Sequence, residues 1–134
     1  MNLQALINRL GITAEAVMVD SNPHMADDAW SETADHWRVT LKRHNPRRQI
    51  TVYFSMGPAL AREPQADDVL DSLASDAAGF ENARDFEDWA AEYGYDTDSR
   101  RVERTYRIIE RQASRLQRFM GDEYETLLWD TERL

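Results

Sequence analysis

Hydrophobic and polar positions follow two different periods along the chain, and the change from one to the other falls near residue 60. Before it, apolar residues at every second position over 37–41 and 50–54 predict two strands, each with one buried face. The residues between them, 44–47, have the composition HNPR, which is typical of a turn, so the two strands form a predicted β-hairpin. An apolar, partly β-branched stretch at 12–19 predicts an earlier strand.

Helical periodicity predicts helices on both sides of these strands. A short amphipathic helix precedes the first strand and ends at the first glycine of the chain. After the hairpin, apolar residues spaced by three and four predict a helix that Gly79 stops and a second helix over about 83–93. A third helix is predicted over about 99–120, with Asp96 or Asp98 as its cap, and a short final helix follows.

This order of elements predicts the fold class. We expect a single domain of residues 1–134 with an α+β fold: a small antiparallel sheet of about three strands in the N-terminal half, packed against a C-terminal half of three to four helices. The chain is 42% hydrophobic, which is enough to build a core. No apolar stretch is long enough to span a bilayer, and the absence of cysteine excludes disulfides, cysteine-ligated zinc and a thiol nucleophile.

Charge is distributed in blocks of alternating sign, within a formal net charge of −9. Residues 38–48 carry five basic residues and no acid, and residues 99–118 carry seven arginines against two glutamates. Between them, residues 63–98 carry twelve acids against one arginine, a net charge of −11. A net negative surface repels nucleic-acid phosphate and attracts basic proteins, but alternating blocks also allow neutralisation within the fold.

The predicted helix over 99–120 carries its arginines on one face. Six of them follow spacings of 4, 3, 4, 4 and 3, which place them within a stripe about 80° wide, because each residue turns an α-helix by about 100°. The basic tip of the hairpin adds to this charge. The predicted basic partner-binding surface consists of Arg43, Arg47, Arg48, Arg104, Arg107, Arg111 and Arg115. Such arginines contact carboxylates or phosphates, or they are solvated, or they pair with the acidic helices before them.

An acidic surface is predicted on the two helices that precede the arginine helix. Helical spacing places its carboxylates in two rows, one on each helix. Carboxylates held on a rigid surface imitate the phosphates of a nucleic acid, and the alternative is a solubilising face. The predicted acidic partner-binding residues are Asp67, Asp68, Asp71, Asp85, Asp88 and Glu92. Trp30 lies in a polar stretch and is a candidate anchor, because tryptophan is enriched at binding hot spots.

Motifs that would signal catalysis or cofactor binding are absent from the sequence. There is no HExxH pattern, no GxxxxGK[ST] loop and no GxGxxG turn. The stretch 96–100 begins like a calcium loop, but the glycine and glutamate that such a loop needs at its positions six and twelve are missing. We therefore expect no catalytic residue, no metal and no cofactor. The enzyme alternative requires two facing carboxylates in a pocket, which spacing alone does not reveal.

One segment resembles a stretch found in small uncharacterised proteins of phages and prophages. It combines an aromatic–acidic–Trp helix (86–89), a Gly-Tyr turn that leads into an Asp-Ser-Arg helix start (94–100), and Tyr106. Small, acidic, cysteine-free α+β proteins from mobile elements are similar in kind to inhibitors of bacterial defence such as anti-CRISPR and anti-restriction proteins. This likeness implies inhibition by binding, and it assigns no role to particular residues.

The charge layout and this resemblance predict a phage-encoded protein that is not an enzyme. It would bind and block a bacterial defence complex, a CRISPR effector or a restriction enzyme, by steric occlusion or by acidic mimicry of nucleic acid. The alternative is a nucleic-acid-binding module that uses the basic hairpin tip and the arginine-striped helix. We expect the protein in the bacterial host cytoplasm, with no membrane partner, and a homodimer is an open alternative in which acidic and basic faces pair.

Overall fold

A computed structural model describes residues 1–25, 32–57 and 62–132. The α+β fold is confirmed, with a three-stranded antiparallel sheet in the N-terminal half and helices mostly in the C-terminal half. The elements are, in chain order, α1 (Leu3–Leu10), β1 (Thr13–Val19), β2 (Asp35–Arg43), β3 (Arg48–Met56), α2 (Ala66–Asn82), α3 (Phe86–Glu92), α4 (Arg100–Met120), a 3₁₀ turn (Gly121–Glu123) and a short π-helical segment (Thr126–Asp130).

The predicted hairpin is confirmed as β2 and β3, which are two of the three strands of a sheet with the order β1-β2-β3. Val39 lies opposite Val52, and Leu41 lies opposite Ile50. All four side chains are buried, because alternation at period two places them on the one face that the helices cover. The turn between the strands contains Asn45 with a φ of 55°, a left-handed conformation that asparagine tolerates better than most residues.

Helices α1, α2 and α4 and the C-terminal segment supply the rest of the main core. The helices pack on the apolar face of the sheet, and α2 packs along α4. Removing these apolar side chains from water is the main favourable term in folding. The fully buried side chains of largest volume include Leu6, Leu41, Leu70, Leu116, Met120 and Leu127.

A second, smaller aromatic cluster holds α3 against α4. Trp89 and Tyr106 are both buried, and their ring centroids are 5.2 Å apart. The Phe86 ring lies 5.3 Å from Tyr106 in an edge arrangement, and the Phe80 ring lies 5.6 Å from it. The position of α3 therefore depends on contacts among aromatic rings, which favour tilted and edge-on geometries.

Two predicted helix boundaries are wrong, and each has a local cause. Gly79 does not stop α2, which continues to Asn82. A side chain at Gly79 would collide with the hydroxyl of Tyr93, so the glycine allows this tyrosine to approach the helix. The N-cap of α4 is Ser99, whose hydroxyl accepts a hydrogen bond from the backbone of Val102 at 3.3 Å.

The prediction that Arg43 belongs to an exposed basic surface is wrong, because its side chain points into the fold. Arg43 is only 4% exposed. Its guanidinium donates hydrogen bonds to the backbone carbonyls of Phe119 and Met120, at 3.2 and 2.8 Å. Burial, followed by the positive charge of Arg48, lowers the pKa of Arg43. The residue thus ties the end of β2 to the C-terminal end of α4.

We predict that Arg43→Ala destabilises the protein by about 2–4 kcal/mol, because the last carbonyls of α4 lose a charged donor and a cavity remains. Urea unfolding measures this as a lower midpoint with an unchanged slope. Arg47→Ala is the matched control, because Arg47 is exposed in the same turn, and we expect it to change stability by less than about 0.5 kcal/mol. Equal losses in both variants would contradict a structural role that is specific to Arg43.

Candidate functional site

The predicted acidic residues divide into two groups that line different parts of the surface. Asp67, Asp68 and Asp71 from α2 line a groove of about 490 Å³ together with residues of α1, the end of β3 and Glu132. Arg62 forms a two-pronged ion pair with Asp68, at 2.7 and 2.8 Å, and holds the pKa of that carboxyl below its ordinary value. This group is therefore partly neutralised within the chain.

The second acidic group lies on α3 and is partly used to begin that helix. Asp85 is the N-cap and accepts a hydrogen bond from the backbone of Asp88 at 2.9 Å. Asp88 in turn accepts a hydrogen bond from the backbone of Arg84, at 3.0 Å, and that bond is the main reason why the pKa of Asp88 is lowered. Glu92 is exposed at the other end of α3.

The residues from Arg84 to Asp98 form an exposed unit, which we call the α3 segment. It carries six acids and one arginine, a net charge of −5. Tyr93 and Tyr95 are 49% and 48% exposed, and their rings stack with centroids 6.1 Å apart. Both rings rest on Trp89, at 5.5 and 5.4 Å. The segment thus presents two fixed aromatic side chains within an acidic surround, a feature that the sequence prediction missed.

The structure brings the two predicted basic features together at one groove, which we call the basic groove. Its volume is about 540 Å³, and Arg48, Arg115 and Arg118 are among the residues that line it. Arg48 donates a hydrogen bond to the Arg118 carbonyl at 3.0 Å, and Arg115 donates one to the Thr51 carbonyl. Because a guanidinium has five N–H donors, Arg48 and Arg115 each have donors beyond the one used in these bonds.

The other predicted basic residues lie outside the basic groove. Arg47 is exposed in the hairpin turn, and Arg104, Arg107 and Arg111 are exposed along α4. Arg107 pairs with Glu110 of its own helix at 3.3 Å and also lies over the Tyr106 ring. Exposed pairs at this spacing contribute little to stability. Trp30, the predicted anchor, lies outside the described residues, so its role stays a prediction.

A cleft of about 400 Å³ opens where β3 meets α2 and α4, and the sequence analysis did not identify it. We call it the Asp76 cleft. Its polar and aromatic lining includes Asn22, His24, Tyr53, Ser55, Ser72, Asp76, Trp89, Tyr93, Tyr95, Thr105 and Gln112. A signal for Asp76 was present in the sequence. At about 100° per residue, Asp76 falls about 20° from Val69, at the edge of the apolar stripe of α2.

Asp76 is exposed to solvent at the mouth of the cleft, and protein lies around part of its side chain. Desolvation raises the pKa of its carboxyl to about 6. It forms no hydrogen bond or ion pair within the part of the chain that the structure describes. Burial, followed by the charges of Arg111 and Arg115, lowers the pKa of His24 on the same cleft, so its imidazole is neutral at neutral pH. Asp76 is then the one charged side chain among the described lining residues.

The enzyme alternative required two facing carboxylates, and the described lining of the cleft holds one. Neutral His24 and Asp76 share the cleft, with the His24 ring 6.0 Å from that of Tyr53. Across the three described ranges, no three histidine or acidic side chains converge on a position where they would hold a metal ion. No helix of these ranges combines the length and apolar character that a bilayer crossing requires.

We predict that Asp76→Asn stabilises the protein at pH 8 but not at pH 4. Because the pKa of the Asp76 carboxyl is raised in the folded protein, its contribution to stability is fully present at pH values below the ordinary pKa of 3.8. That contribution is lost as the pH rises through about 6. The variant should therefore gain about 1 kcal/mol or less at pH 8, since solvent in the cleft screens the penalty. Thermal unfolding followed by circular dichroism at both pH values measures the difference, and an equal effect at both would contradict the prediction.

No family model, curated protein or solved structure matches the chain.

Proposed function

We propose that this is a non-catalytic, phage-encoded protein that binds and blocks a bacterial nucleic-acid-handling defence complex, in the manner of anti-CRISPR and anti-restriction proteins. The observation that carries the proposal is the α3 segment, where two exposed, stacked tyrosines lie within a run of acidic side chains. The same segment contains most of the residues that resemble phage and prophage proteins, those at 86–89 and 94–98. A defence complex that holds nucleic acid in a positively charged channel offers a surface complementary to it.

The acids of the α3 segment remain available to an external partner. Arg84 and Asp88 form the one ion pair of the segment within the described residues, at 3.4 Å, and the arginine side chain is 87% exposed. Glu87, Glu92, Asp96 and Asp98 are exposed and form no ion pair with the described part of the chain. Their charges therefore project into solvent, where they attract a basic partner over roughly one Debye length.

The tyrosines supply the contact area that charge alone does not. Tight interfaces depend on a few buried aromatic or arginine anchors, while surrounding charges mainly raise the association rate and fix the orientation. Tyr93 and Tyr95 are already held against Trp89, so little conformational entropy is lost when a partner covers them. Steric occlusion by this aromatic and acidic surface is the mode of inhibition that we favour over mimicry by all six predicted acids, because those acids lie in two groups.

The test is binding of the purified protein to a panel of CRISPR effector and restriction complexes at low and high salt. We predict that Tyr95→Ala weakens binding at least about tenfold, because an aromatic hot spot contributes about 2 kcal/mol or more. Glu92→Gln should mainly slow association, and this effect should shrink as salt rises. Surface plasmon resonance measures both rates.

Trp129→Ala is the matched control, because Trp129 is another exposed aromatic residue, 47% accessible, on the C-terminal segment. It should leave binding unchanged. Absence of binding to every defence component at low salt would remove the proposal. Equal losses for Tyr95→Ala and Trp129→Ala would show that the α3 segment is not the interface.

A second candidate function is binding of a nucleic acid at the basic groove. The specific observation in its favour is that Arg48 from the hairpin and Arg115 and Arg118 from α4 line one groove, although they are far apart in the sequence. Guanidinium groups bind phosphate oxygens through paired N–H donors. In this arrangement the phosphate backbone would follow the C-terminal half of α4.

If the basic groove binds nucleic acid, Arg118→Ala should weaken binding severalfold. It should also reduce, by about one, the magnitude of the slope of the logarithm of the binding constant against the logarithm of the salt concentration. Arg100→Ala, at the opposite end of the same helix, is the control and should have little effect. A gel-shift series with a short duplex and a single strand at about 50 and 200 mM salt measures both quantities. A complete lack of shift at the lower salt concentration would end this second candidate.

A further inference from the structure

The Asp76 cleft combines aromatic walls with a single anionic side chain. Tyr53, Trp89, Tyr93 and Tyr95 contribute rings to its lining, and Asp76 contributes its carboxylate. Binding clefts for small molecules have volumes of about 300–1,000 Å³ and few polar groups among apolar walls. With about 400 Å³, this cleft lies within that range and accommodates a small ligand.

The Asp76 carboxylate lacks a counter-charge. A partly desolvated carboxylate that has neither a hydrogen bond nor a cation beside it is less stable than one with a paired cation. Asp76 is in this situation with respect to the described residues, and the other side chains that line the cleft are neutral at pH 7. A ligand with a positive charge would relieve this cost, whereas an anion would increase it.

The Tyr93 hydroxyl lies beside the turn of α2 that follows Asp76. Gly79 follows Asp76 by one turn of α2, and the Tyr93 hydroxyl occupies the space beside it. Tyr93 stacks with Tyr95, and both rings contact Trp89. Ring faces attract cations within about 6 Å of the ring centroid, and recognition of substituted ammonium groups by several rings together is a common use of this attraction.

We propose that the Asp76 cleft binds an organic ammonium ion, with Asp76 as its counter-charge and the rings of Tyr93 and Tyr95 as its walls. A bare metal ion fits less well, because hard cations require several oxygen ligands and the described lining offers one carboxylate. A neutral apolar ligand would leave Asp76 covered and unpaired. This site shares Tyr93 and Tyr95 with the protein–protein contact proposed above, but its counter-charge, Asp76, lies outside the α3 segment. It does not require that contact.

Calorimetric titration with choline and with 3,3-dimethyl-1-butanol, its uncharged isostere, tests the proposal on the whole protein. The two probes have nearly the same shape, so their difference isolates the charge. Choline should bind at least about tenfold more tightly than the alcohol. Equal affinities, or no detectable binding of choline at millimolar concentrations, would overturn the proposal.

Variants locate the site. Asp76→Asn should reduce choline affinity at least about tenfold and leave the affinity for the alcohol unchanged. Asp122→Asn removes the same charge from an exposed position outside the cleft, so it should change neither. Tyr95→Leu keeps apolar bulk but removes the aromatic face, and it should weaken choline binding severalfold. If Asp122→Asn has the same effect as Asp76→Asn, choline is responding to net charge alone and the proposal fails.

The pH dependence gives an independent readout. The other titratable groups that line the cleft are His24 from the loop after β1, Tyr53 from β3, and Tyr93 and Tyr95 at and after the end of α3. The lining side chains of α4 are uncharged, but Arg111 and Arg115 of that helix lie close enough to His24 for their charges to act on it. Choline affinity should fall about tenfold between pH 7.5 and pH 5 as the carboxylate of Asp76 gains a proton. The dependence should persist in His24→Asn and disappear in Asp76→Asn, and the reverse pattern would assign it to the histidine and contradict the proposal.

An ammonium group also occurs on lysine side chains. Nα-acetyl-lysine amide, which keeps a free side-chain ammonium, is therefore titrated beside choline. Tighter binding of the lysine derivative assigns the cleft to a side chain of a protein partner, and tighter binding of choline assigns it to a free quaternary amine. Either result supports an ammonium site. Asp76→Asn also separates this inference from the proposed function, because it should weaken amine binding at least about tenfold without affecting association with a defence complex.

Discussion

A buried guanidinium determines where helix α4 lies. The last carbonyls of an α-helix have no partners within the helix and carry the negative end of its dipole. Arg43 at the end of β2 donates to two of them, and Arg48 at the start of β3 donates to a third. The end of α4 is thereby attached to the hairpin. Once it is attached, one face of α4 enters the core, another forms a wall of the Asp76 cleft, and the arginines near its end line the basic groove.

Elements whose pattern is decided by burial could be predicted from the sequence. The alternation through Val39 and Leu41 predicted β2, because side chains at every second position lie on the same face only in a strand. Features that depend on a residue distant in the sequence could not be predicted. A glycine such as Gly79 usually indicates the end of a helix. Here its missing side chain leaves space for the hydroxyl of Tyr93, a residue that follows the next helix. Local propensity contains no information about that contact.

The candidate sites depend even more on contacts between residues that are distant in the sequence. Counting charges identified the basic hairpin tip, but the count treats Arg43 and Arg48 alike, although one is buried against α4 and the other lines a groove. Asp76 is one of many acids in the sequence, and only the fold around it raises the pKa of its carboxyl. The aromatic surface of the α3 segment depends on Trp89, which supports both tyrosines and is itself packed on Tyr106. Sequence predicts which residues carry charge or rings; packing decides which of them face a ligand.

The α3 segment and the basic groove contact different parts of α4, and this separation determines how the net charge should be interpreted. Trp89 holds the α3 segment against Tyr106, whereas Arg115 and Arg118 lie in the last two turns of the helix. At about 1.5 Å per residue, these arginines lie about 14 to 18 Å along the helix from Tyr106, roughly twice the Debye length at physiological ionic strength. Each surface therefore attracts ligands mainly through its own nearby charges. A net charge of −9 consequently does not exclude an anion at the basic groove, because the acids of the α3 segment are screened from it.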